Sequence, residues 1–121
     1  MNGTKKWYIS DGYYPTESNG PYPSHEAVCV LNPGMEDANI EITLYFEEKN
    51  KIDGFHVVCK AERTSHIRMD RLKNVNGESI PSGIPYAILV RSDVDIIVQY
   101  SRMDTSQAEM ALMTTMGFAA G

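Results

Sequence analysis

From Ser92 to Arg102 the chain reads Ser-Asp-Val-Asp-Ile-Ile-Val-Gln-Tyr-Ser-Arg, and Met103-Asp104-Thr105-Ser106-Gln107-Ala108-Glu109 follows without a glycine or proline. An apolar, β-branched run of this kind asks for a strand in the middle of a sheet, its far end turning polar at Gln99, Ser101 and Arg102. Ser106-Gln107-Ala108-Glu109 has the spacing of a capping box, in which hydroxyl and carboxylate satisfy each other's orphan backbone donors. A short helix is therefore expected over about 106–116. It is apolar over most of its circumference, with Gln107, Thr114 and Thr115 as its polar stripe. Roughly eleven residues cannot hold a helix alone in water, so it must dock on its own sheet, a neighbouring subunit or a partner. Met110, Leu112, Met113 and Met116 are the candidate partner contacts, because methionine adapts to irregular surfaces. Gly117 can cap the helix, leaving a frayed tail.

Upstream the chain is a series of short strand patterns punctuated by turns. Lys5–Ser10 is an aromatic strand ended by Asp11-Gly12, and a long loop from Tyr13 to Pro23 follows, with Tyr13, Tyr14 and Tyr22 able to pin it down. Ala27–Leu31 is apolar throughout and reads as buried on both faces. Ile40–Phe46 alternates cleanly, with Ile40, Ile42, Leu44 and Phe46 inward, and Phe55–Ala61 repeats the alternation as its hairpin partner. Arg63–Met69 alternates again, residues 74–85 form a loop, and Tyr86–Arg91 is a strand that Ser92-Asp93 turns into the spine strand. Many short strands with one helical pattern at the end predict an all-β fold: an antiparallel β-sandwich of jelly-roll type with a short C-terminal helix. The 121 residues make one domain, with 105–121 as helix and tail.

Composition excludes several classes. A net charge of −5 argues against general nucleic-acid binding. There is neither a charged-then-apolar leader nor an apolar run near ~20 residues, so no membrane insertion and a cytoplasmic location are expected. Cys29 and Cys59 lie in apolar runs without CxxC spacing, and read as buried free thiols.

Certain residues also carry a family likeness: Trp7, Ile9, Gly12 and Tyr13; Ser18-Asn19-Gly20-Pro21; Ser24-His25-Glu26-Ala27 with Cys29 and Leu31-Asn32; Glu41-Ile42-Thr43 with Tyr45-Phe46. Further on come Arg63-Thr64, His66 and Arg68; Tyr86-Ala87; Ser92-Asp93-Val94 with Ile96, Val98, Gln99 and Arg102; and Asp104 with Ser106–Glu109. With these pieces in register from Trp7 onward, the chain resembles the sensory rhodopsin transducer family, departing from it at Asp95, Tyr100 and the 73–81 loop. The resemblance implies a jelly-roll sandwich, a homotetramer and a non-enzymatic signalling role exercised by binding another protein. The partner it implies is a membrane photoreceptor or another signalling protein.

The polar residues left over after core assignment are candidates for a single cleft: Ser18, Asn19, His25, Glu26, Arg63, His66, Arg68, Gln99, Arg102 and Asp104. The arginines offer planar donors to a carboxylate or phosphate, and Asn19, Gln99 and Glu26 suit sugar hydroxyls. A module for a carbohydrate or sugar acid is accordingly the alternative function. Arg63, Arg102, Glu26 and Asp104 can equally be structural ion pairs. His25, Glu26 and His66 could face a divalent metal, but their spacing is unspecific and nearby arginines repel a cation, so no metal or cofactor is expected. With no GxSxG, no phosphate loop and both thiols buried, the chain does not read as an enzyme.

Overall fold

A computed structural model describes residues 3–121. Among these residues eight strands follow in order: β1 (Thr4–Gly12), β2 (His25–Asn32), β3 (Ala38–Phe46), β4 (Ile52–Cys59), β5 (Arg63–Arg68), β6 (Tyr86–Asp104), β7 (Ala111–Met116) and β8 (Phe118–Ala119). A single 3-10 turn at Met69–Arg71 lies between β5 and β6. Every pairing is antiparallel. One sheet runs β4-β3-β6-β1-β8 and the other β5-β2-β6-β7. The expected all-β sandwich is therefore the fold.

The two sheets share β6. Its first arm pairs with β3 from Tyr86 to Ser92, while its second pairs with β2 from Ile97 to Met103. Between them the strand bends, and polar side chains serve the bend: Ser92 Oγ accepts from the Val94 N–H at 3.2 Å, and the Asp93 carboxylate accepts from the Asn39 N–H and Nδ2, each at 2.8 Å. Trp7 backs the same region, its indole N–H shared between the Thr4 and Ile96 carbonyls at 3.1 Å. The core fills the space between the arms with Val28, Val30, Ile42, Leu44, Phe55, Ile88, Val90, Ile96 and Val98, all fully buried. These are the inward residues of period-two strands, and stacking two such faces is what makes a sandwich.

Four expectations need correction, the first being the frayed tail, whose Phe118 and Ala119 pair as β8 with Tyr8 and Trp7 of β1. Ser92-Asp93 is no turn: Tyr86–Asp104 is one strand of 19 residues, and its polar pair marks a bend. The expected C-terminal helix is strand β7, Met103 lying opposite Leu112 and Gln99 opposite Met116. The capping-box serine is engaged elsewhere, since Ser106 N–H and Oγ both donate to Asp104 Oδ1 at 2.9 and 2.6 Å. A helix would leave the second arm of β6 with a bare edge, and the ladder satisfies those backbone groups instead. Finally, β2 is buried on one face only. Val28 and Val30 are sealed, but Ala27 and Cys29 are half-buried and Leu31 is 43% exposed, because no layer covers the outer side of its sheet among the described residues.

Candidate functional site

That outer face is an ordered grid. Across β5, β2, β6 and β7 the registers align Arg68, Ala27, Ser101 and Thr114 in one row and His66, Cys29, Gln99 and Met116 in the next. His25, Met103 and Leu112 form a third row. Between β2 and β7 lies a groove of about 300 Å³, lined by His25, Ala27, Ser101, Arg102, Met103, Leu112, Met113 and Thr114. All six residues of β7 are exposed, Leu112 at 72% and Met116 at 56%. Met110 and Met113 are exposed as well. The candidate partner contacts thus stand in solvent, on a strand rather than a helix.

On the opposite side of the same sheet, inside the sandwich, Glu26 is fully buried. Its carboxylate accepts from the hydroxyls of Tyr86 and Tyr100 and from the Tyr13 N–H at 3.0 Å. Arg102 Nε donates to the Tyr100 hydroxyl at 3.1 Å, and its Nη2 donates to the Asp11 carbonyl at 3.1 Å. Burial pushes Glu26 from its ordinary 4.5 up to about 6, against the lowering pull of the Tyr100 and Tyr13 bonds and the Arg102 charge. Burial and the Glu26 charge push the Tyr100 hydroxyl up as well.

The candidate site residues therefore fall into separate groups rather than one cleft. Glu26 and Arg102 lie within the sandwich end, whereas His25, His66, Arg68 and Gln99 share the outer face. His25 Nδ1 bonds the Pro23 carbonyl, Gln99 Nε2 donates to Thr114 Oγ1 at 2.6 Å, and Arg68 grips Asp70 through two 2.8 Å bonds. Burial alone would raise Asp70, but the Arg68 bonds and charge outweigh it and hold the carboxyl low.

Ser18 and Asn19 belong to a third group, where the 13–24 loop meets the segment after β6. Ser18 Oγ accepts from the Ser24 N–H at 2.7 Å, and the Asn19 N–H donates to the Thr105 carbonyl at 2.6 Å. Thr105, fully buried, donates to the Tyr22 carbonyl and shares a hydrogen bond with Ser24 Oγ. The Tyr22 ring itself is 56% exposed, so the backbone and Tyr14 hold this loop rather than all three aromatics; the Tyr14 hydroxyl donates to the Ile80 carbonyl. Asp104, held low by its bonds to Ser106, caps the turn. Arg63 stands apart, opposite Asn32 and bonded to the neighbouring Glu62 carbonyl.

Glu26 points opposite to its neighbour His25 and to His66, so these three do not converge. Among the described residues no group of three histidine, cysteine or acidic side chains could hold a metal ion. Cys29 and Cys59 are free thiols, Cys59 buried and Cys29 half-buried on the outer face. What sequence reasoning missed is the tyrosine pair on Glu26. A signal existed, since Glu26 lies in phase with Val28 and Val30 and so had to point inward.

This fold and surface define a class: small antiparallel β-sandwich proteins with one sheet face uncovered and a buried acid at one end. The chain belongs to the Anabaena sensory rhodopsin transducer family, whose pattern matches residues 2–119. Its structure is similar to the crystal structure of Thermotoga maritima 1070, with a TM-score of 0.89 and 36% identity over 99% of this chain and 97% of that one. It is also similar to the Anabaena sensory rhodopsin transducer itself, at TM-score 0.75 and 40% identity, covering 88% of this chain and 93% of the other. No functionally curated protein matches the chain. Among the described residues, no helix is long and apolar enough to cross a membrane.

Proposed function

We propose that this protein is a non-enzymatic signalling transducer that works in the cytoplasm as a homo-oligomer, homotetrameric as the family likeness implies, and passes its signal by binding another protein. The partner is a sensory rhodopsin-type photoreceptor or a second signalling protein. The observation that carries this reading is β7: a six-residue edge strand with every side chain exposed, Leu112 and Met116 among them, continuous with the uncovered outer face of its sheet. Exposed apolar strands at a sheet edge are what proteins ordinarily avoid unless something binds there. The test is analytical ultracentrifugation and photoreceptor pull-down with Leu112→Asp/Met116→Asp and with a chain ending at residue 110. Assembly or capture lost in both variants supports the reading, while both properties surviving in the folded variants overturns it.

A second reading rests on the groove between β2 and β7. His25, Ser101 and Thr114 give its apolar walls a few polar groups, the mix that suits a small ligand such as a sugar or sugar acid. A thermal-shift series with neutral sugars and sugar acids tests it, because a ligand of the native state raises the melting point by mass action. A shift lost in Ser101→Val supports the groove, and no shift with any sugar removes it.

A further inference from the structure

Tyr86 and Tyr100 belong to the same strand, fourteen positions apart. Fully extended, that stretch would span about 45 Å, yet both hydroxyls meet on one carboxyl group. They meet because β6 bends between its arms, so that Tyr86 at the start of the first arm and Tyr100 on the second return to the same end of the sandwich. Glu26 bridges the two arms opposite the bend, taking Tyr86 on Oε1 and Tyr100 on Oε2. The Tyr86 ring is further fixed by an edge-on contact with Phe46, centroids 6.0 Å apart.

The 13–24 loop and the segment leading into β7 are both fastened at this end. The Tyr13 N–H on Glu26 Oε2 begins the 13–24 loop, and Ser24 and Thr105 tie the loop's far side to the segment leading into β7. The groups facing the carboxyl are Tyr86, Tyr100 and Arg102 from β6, Asp11 from the end of β1, and Tyr13 and Tyr14 from the loop. Arg102 reaches the site through the Tyr100 hydroxyl, and its Nη2 donates to the Asp11 carbonyl and lies 3.5 Å from the Asp11 carboxylate, so the charge of an ionised Glu26 is balanced only at second hand.

An ionised carboxylate sealed from water gains by reaching water, whereas a protonated one does not. With a proton on Oε1 donated to the Tyr86 hydroxyl, that hydroxyl must turn its own O–H away, while Oε2 still accepts from Tyr100 and Tyr13, so the contacts to both arms survive without a buried charge. We propose that Glu26 is a proton-operated clasp: with a proton on its carboxyl the two arms of β6 are held together at the open end of the sandwich, and without it that end opens more often. Opening releases the 13–24 loop and the root of the C-terminal strand together. Acidification therefore closes the end from which β7 extends, and this holds whatever partner β7 meets.

The test is hydrogen exchange of the Tyr13 amide and thermal melting of the full chain between pH 4 and 7.5, in the wild type and in Glu26→Gln. Glutamine keeps the shape and stays neutral. After correction for intrinsic exchange, the wild-type opening constant should rise roughly tenfold to thirtyfold from pH 4.5 to 7, while Glu26→Gln stays flat. The wild-type melting point should fall by roughly 5–10 °C relative to Glu26→Gln over the same range. Parallel curves for the two proteins overturn the proposal. Should Glu26→Gln fail to fold, the carboxyl carbon resonance of Glu26 in the wild type decides: titration near pH 6 with coupled shifts at Tyr13 supports the clasp, and titration near 4.5 without them refutes it.

Discussion

The β3–β4 hairpin and the C-terminal β7 are both short stretches rich in apolar residues, yet the sandwich treats them in opposite ways. The hairpin turns Ile40, Ile42, Leu44 and Phe55 into the core, where each is at most 2% exposed. β7 pairs with β6 along one edge and leaves Leu112, Met113 and Met116 in solvent. Backbone pairing alone thus suffices to place a strand, while burial of one face is what makes it contribute to stability. An apolar strand held by pairing without burial is available to other surfaces.

Five substitutions sharpen or break this contrast. Phe55→Ala should have the largest effect, a loss of about 3–5 kcal/mol in urea unfolding, because it opens a cavity in a sealed core. The clasp comes next. Glu26 carries a raised folded value of about 6 against an ordinary 4.5, so its contribution is fully present below 4.5 and lost as the pH rises through 6, about 2 kcal/mol in all. Denaturant midpoints for the wild type should therefore decline across that window, and those of Glu26→Gln should not. Thr105→Val should cost about 1–2 kcal/mol by removing the buried donor to the Tyr22 carbonyl, with faster proteolysis in the 13–24 loop as its signature. Leu112→Ser and Met116→Ser should stay within about 0.5 kcal/mol of wild type under conditions that keep the chain monomeric. A large loss in either serine variant would mean that β7 is covered within its own subunit, and the contrast with β3–β4 would collapse.

Much of the fold was legible in the sequence for the same reason that the hairpin is stable. Where one face is sealed, selection for burial leaves a period of two, as in Ile40–Phe46, and the register follows. Legibility failed where the deciding force was not local. Ser92-Asp93 has turn chemistry, but Ser92 is buried and Asp93 is spent on Asn39 across the sheet, a demand invisible from the neighbouring residues. Ser106 and Glu109 spell a helix start, yet the unpaired edge of β6 outweighed it and Asp104 took the serine. The candidate polar residues were chosen by type, and the pleat distributes them: adjacent His25 and Glu26 face opposite sides of one sheet, so no single cleft could hold both. Glu26 itself was legible by phase. Its tyrosine partners were not, since their convergence depends on the bend in β6.

The continuity of β6 through both sheets also governs the order in which the molecule can be made. During synthesis β1, β2 and β5 leave the ribosome before the strand that will pair with β1 and β2 exists, and only the β3–β4 hairpin can close early from local contacts. Until residues 86–104 emerge, Trp7 and Ile9 on β1 have no strand to pair with, and the β2–β5 pair that carries Val28 and Val30 has no strand joining it to the β3–β4 hairpin. Assembly then hinges on long loop closures made late, which slows folding and leaves sticky intermediates exposed. A nascent chain of this design keeps apolar strand faces uncovered for as long as its central strand remains inside the ribosome.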